Sequence, residues 1–91
     1  MTKKRKRKYT KAPAITGIQL LRLFKKAGGK IVGRCDHGYA IQIFVKGQYR
    51  ITTVQDRSDP IPPTTLGQIL GPKQTFLGKR GLLNLLNEHG L

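Results

Sequence analysis

Apolar residues recur at three- and four-residue spacing behind Thr16: Leu20, Leu21, Phe24 and Ala27 fall on one side, with Arg22, Lys25 and Lys26 opposite. That period is helical, Thr16 is a suitable N-cap, and Gly28-Gly29 supplies a stop, so the spacing predicts a helix over 17–27. The period then changes to two. Lys30 to Arg34 reads as a short strand. From Tyr39 to Val45, Tyr39, Ile41, Ile43 and Val45 share one face, with Ala40, Gln42 and Phe44 on the other. Lys46-Gly47-Gln48 is a hairpin turn, and Tyr49 to Val54 runs back. Gln55 to Pro63 is a loop. Thr64 or Thr65 is expected to cap a short helix carrying Leu66, Ile69 and Leu70, ended by Gly71-Pro72. Residues 73–81 are ambiguous, because Gly78 and Gly81 weaken a helix. Leu82, Leu83, Leu85 and Leu86 form a last amphipathic helix that Gly90 stops. The predicted fold is α+β: a helix, a three-stranded antiparallel meander, and one or two C-terminal helices. One sheet face is expected under the helix and the other in water.

Length and charge sharpen this picture. The chain has 91 residues, which suggests a single domain, and 18 Lys+Arg against 4 Asp+Glu give it a formal net charge of +14. Such a protein attracts polyanions whatever its fold; nucleic acid is the first candidate and an acidic protein the second. Lys3, Lys4, Arg5, Lys6, Arg7 and Lys8 form an uninterrupted basic run that Lys11 extends and Pro13 ends. The expectation is a disordered basic arm over 1–13 and a domain over 14–91. The arm either contacts phosphates or only solubilises, and in a eukaryote it would also serve as a nuclear address. No apolar run approaches the ~18 residues needed to span a bilayer, no basic stretch carries a Trp/Phe-rich face, and no apolar segment follows the N-terminal cations. Neither a membrane association nor a secretory signal is expected. Cys35 is the single cysteine, which excludes an intramolecular disulfide and favours a cytoplasmic thiol.

His37 is the chemical landmark. It lies in Gly33-Arg34-Cys35-Asp36-His37-Gly38-Tyr39, between two strand-like runs, and the chain has only one other histidine, His89. An imidazole can take a proton from a ribose 2′-hydroxyl or give one to a leaving 5′-oxygen. Arg34 or Arg50, near it in sequence or expected register, can supply a cation to the charged phosphorane. Asp36 either orients the imidazole or repels phosphate. The plainer reading is a solvated turn residue before Gly38. His89 reads as a helix-end residue beside C-terminal carbonyls. Metal binding by Cys35, Asp36, His37 and His89 is disfavoured by the lack of paired ligand spacing, and no cofactor is expected. Cys35 is a poor candidate nucleophile for a phosphodiester. Tyr39, Phe44 and Tyr49 either stack on single-stranded bases or pack across strands. Lys25 and Lys26, with Arg22, are either a solvated helix face or a phosphate track.

The element order and particular residues resemble the HicA-type mRNA interferases, a family of small toxins. Thr16-Gly17-x-x-Leu20-Leu21-x-Leu23 is similar to the family's opening, and Leu23-Phe24-Lys25-Lys26-Ala27-Gly28-Gly29 to its helix end. His37 falls where the family has its active-site histidine. Thr52-Thr53-Val54 resembles the end of its third strand, and Leu66-Gly67-Gln68-Ile69-Leu70 its last helix. Leu85-Leu86-Asn87-Glu88-His89-Gly90-Leu91 also resembles the family's terminus, so the chain has either an extra helix or an insertion near 71–81. The departures are Asp36 in place of a serine before the histidine, Gly38 to Ile41 in place of His/Phe-rich positions, and Gln55-Asp56-Arg57 where Pro and a second histidine are usual. The resemblance implies a double-stranded-RNA-binding-domain-like fold, RNA cleavage without a required cofactor, and neutralisation by a HicB-type antitoxin. On that reading His37 is the catalytic acid/base, and Arg34, Arg50, Lys25, Lys26 and the basic run meet RNA phosphates. No small-molecule substrate is expected. The competing readings are a DNA- or RNA-binding module without cleavage, and a small basic ribonucleoprotein component.

Overall fold

The computed structural model describes Tyr9 and residues 13–90. The elements are α1 (Gly17–Lys26), β1 (Lys30–Cys35), β2 (Gly38–Val45), β3 (Gln48–Gln55), α2 (Pro63–Leu70) and α3 (Gly78–His89). This is the expected α+β order, and the sheet is an antiparallel meander β1-β2-β3.

α1 begins where a cap is available. The Thr16 hydroxyl accepts from the Gln19 amide N–H, while the Gln19 side chain accepts from the Thr16 N–H. This reciprocal pairing satisfies two of the amides that a helix start leaves open. Ala27 is the C-cap rather than the last helical residue, and Lys25 and Lys26 lie beside the negative end of the helix dipole. The β2–β3 hairpin turns on Lys46-Gly47 alone, both with positive φ, and Gln48 already pairs with Val45. Paired left-handed residues match the twist of the flanking strands, and glycine accepts that conformation without strain.

The helices cover one sheet face. Leu20, Leu21, Leu23 and Phe24 of α1 meet Ile41, Ile43, Val45 and Val54 of the sheet, together with Ile15, Ile69, Leu70, Leu82 and Leu86. Both C-terminal segments are therefore helices in one core: α2 packs on β3, and α3 on α1 and α2. Tyr9 joins α3 through its backbone, its N–H donating to the Asn87 side-chain oxygen and its carbonyl accepting from the Asn87 amide. The basic run Lys3–Lys8 lies outside the described residues.

Two expectations change. α2 is capped by Pro62 with Pro63 in its first turn, and neither Thr64 nor Thr65 caps it. A proline at the first helical position has its φ preset and lacks only an N–H that would be unpaired anyway, so the helix starts two or three residues early. α3 starts at Gly78, four residues before its first leucine. The ambiguous stretch before it is a turn that Thr75 organises: fully buried, it donates its hydroxyl to the Ile69 carbonyl at 2.7 Å and accepts from the Leu77 N–H at 3.3 Å.

Candidate functional site

Asp36 and His37 form the turn between β1 and β2. Two contacts fix this turn in place. The Asp56 N–H donates to the His37 carbonyl at 3.2 Å. Gly38 is pressed onto β3: a Cβ there would lie 2.1 Å from the Val54 oxygen and 2.6 Å from the Gln55 Cα. Only glycine permits that approach, which is well inside van der Waals contact. The imidazole itself is exposed, in a shallow depression of about 420 Å³ lined by Asp36, His37, Gln55, Asp56 and Arg57.

A second hollow, of about 340 Å³, opens between α1 and the sheet. Arg22, Lys25, Ile31, Tyr39 and Asp56 are among its lining residues. Asp56 borders both hollows, so they form one strip from His37 to the charged side of α1. Arg34 stands over the Tyr39 ring at 5.6 Å and adds a cation to the same strip. The strip thus gathers an exposed imidazole, two carboxylates (Asp36 and Asp56) and the cations Arg22, Lys25, Arg34 and Arg57. Arg57 is paired with Asp59 at 2.8 Å, with both side chains mostly in water. Such an exposed pair contributes little to stability.

The other predicted residues are placed differently. Lys26 is exposed one step round the helix from Lys25 and does not line the hollow. Arg50 pairs with Ile43, five residues along β2 from Gly38, or roughly 17 Å at a strand's rise per residue. It is therefore not near His37 in register. Its guanidinium donates to the carbonyls of Pro72 at 2.9 Å and Gln74 at 3.5 Å, and lies 5.2 Å from the Phe76 ring centre. Arg50 pins the turn before α3 onto β3, assisted by Thr52, which donates to the Gln74 side chain, and by Lys46, which donates to the Phe76 carbonyl at 3.0 Å.

Tyr39 is half-buried on the helix side, whereas Phe44 and Tyr49 are exposed on the opposite face. The three rings therefore do not form one stacking surface. His89 ends α3 with its Nε2 4.0 Å from the Glu88 carboxylate. Cys35 is an exposed free thiol. Among the described residues no three His, Cys, Asp or Glu side chains gather in a metal-binding group, and no helix is long and apolar enough to cross a membrane.

The residue that the sequence did not single out is Arg57. Its only signal was its place just after β3; its nearness to His37 follows from the Asp56–His37 backbone bond, a long-range contact. In comparisons with known proteins, no family model, curated protein or solved structure gives a significant match to the chain.

Proposed function

We propose that this protein is an RNA-binding endoribonuclease, the toxin of a HicA-type toxin–antitoxin pair, and that it cleaves mRNA in the cytoplasm with His37 as acid/base. The observation that carries the reading is the exposed His37 imidazole on a turn anchored to β3, opening onto a strip that holds Arg22, Lys25, Arg34 and Arg57. Cleavage proceeds by transphosphorylation. His37 accepts the proton of the ribose 2′-hydroxyl, the 2′-oxygen forms a bond to phosphorus, and the bond from phosphorus to the 5′-oxygen breaks. The 5′-oxygen departs with a proton from the imidazolium or from water, leaving a 2′,3′-cyclic phosphate. Arg57 and Arg34 bring positive charge to the phosphorane, where charge develops. Lys25 and the basic run Lys3–Lys8 hold flanking phosphates. A HicB-type antitoxin is the partner the resemblance implies.

A second reading is supported by Asp36 and Asp56, which bracket the imidazole with negative charge. In that reading the protein binds RNA and no longer cleaves it. One experiment separates the two. Purified protein is incubated with total RNA, with and without EDTA, beside His37→Ala. Cleavage by the wild type alone, insensitive to EDTA and ending in cyclic phosphate, supports the nuclease. Equal inactivity of both proteins with equal RNA binding establishes the binding module.

A further inference from the structure

The helices leave the other face of the sheet uncovered, and that face has an unusual composition. Directly paired residues share a face, so Ala40 with Thr53, Gln42 with Ile51 and Phe44 with Tyr49 line it together. Phe44 is 60% exposed, Tyr49 70% and Ile51 54%. The Phe44 and Tyr49 rings meet edge to face, their centres 5.0 Å apart and their planes at 66°. Edge-to-face contact leaves ring surface open to solvent. Lys30 pairs with Gln42 and adds a cation to the same face. The acidic residues are Asp36, Asp56, Asp59 and Glu88, and none lies in a strand. An aromatic, acid-free sheet face in a protein of net charge +14 is complementary to one kind of ligand. Single-stranded nucleic acid offers unpaired bases to stack and phosphates to pair, whereas a duplex keeps its base faces stacked internally.

We infer that single-stranded RNA crosses this face, with bases stacked on Phe44 and Tyr49. The inference rests on the RNA reading above and sharpens it, because it makes the substrate an unpaired strand. Phe44 lies six residues along β2 from Gly38, roughly 20 Å. The platform is thus a binding surface apart from the reacting group.

The test uses a fluorescent 2′-O-methyl-uridine strand of about 12 nucleotides, within the site sizes of single-strand binders. It has no free 2′-hydroxyl and so survives the cleavage chemistry. The same strand annealed to its complement is the duplex probe. The double variant Phe44→Ala/Tyr49→Ala, checked for folding by circular dichroism, is expected to lose about tenfold or more in single-strand affinity and less than roughly twofold for the duplex. Phe44→Leu, which keeps apolar area without a ring, also weakens single-strand binding. Tyr49→Phe keeps the affinity and removes part of the tyrosine fluorescence quenched by the strand. The inference is overturned if the double variant binds the single strand like the wild type, or loses both probes equally. It is also overturned if the wild type sediments as a dimer that the double variant dissolves, since a second copy then covers the face. Failure of RNA cleavage with these results intact removes the nuclease reading alone.

Discussion

Gly38 shows how one residue links fold and site. Its Cα sits against the Val54 carbonyl and Gln55, so the turn bearing His37 rests directly on β3. Gly38→Ala forces those backbones apart and is expected to cost about 2–3 kcal/mol, read as a lower midpoint in urea unfolding. Asp36 acts on charge instead. Asp36→Asn removes a carboxylate beside the proposed phosphate site and should tighten RNA binding about two- to fivefold at low salt, with no change in unfolding midpoint. Unchanged affinity would place phosphate away from this turn. Arg50 belongs to the fold more than to the strip. Its guanidinium holds the Pro72 and Gln74 carbonyls, so Arg50→Met should lower stability by about 1–3 kcal/mol and affect RNA affinity less than Arg34→Met does. The turn at His37, the strand that carries Arg34 and the charged helix face with Lys25 are legible in the sequence because each is a local pattern. It misplaced Arg50 because that side chain's partners lie in a turn more than twenty residues away, which no local pattern reveals.

At the scale of elements, legibility followed the source of each boundary. α1 and the β2–β3 hairpin were read nearly to the residue, since the Thr16–Gln19 capping box and Lys46-Gly47 are written in neighbouring residues. The start of α2 was read late because Pro62-Pro63 initiates it without a side-chain cap. α3 was unclear at its beginning because Gly78 and Gly81 have poor helix propensity. Tertiary packing overrides them there, with Leu82 and Leu86 fully buried against the rest of the core. α3 is thus an integral part of the domain. Leu82→Ala is expected to cost about 2–5 kcal/mol in chemical unfolding, as a large-to-small change in a packed core does. A cost well below this range would mean that α3 is a loosely attached addition.

Over the whole molecule, charge and shape divide the labour. The helices and sheet build a core on one side, and the β1–β2 turn presents His37 at one end, beside the cation Arg57 and the carboxylates Asp36 and Asp56. If Lys3–Lys8 contact RNA, a chain lacking residues 1–8 should bind single-stranded RNA with a salt slope shallower by up to about four, at about 0.7 per phosphate contact. An unchanged slope would leave the described domain as the whole electrostatic footprint. The net charge was plain from composition, but the separation of a cationic strip from an acid-free aromatic face emerges only once the strands are paired. Whether His37 performs chemistry on RNA is decided by the rate of cleavage of a labelled single-stranded RNA by the wild type and by His37→Ala, measured in EDTA with both proteins shown to be folded and to bind the RNA equally. Cyclic-phosphate products from the wild type and a loss of at least about a hundredfold in rate for the variant are expected. Equal rates, or no cleavage by either protein, would contradict that chemistry.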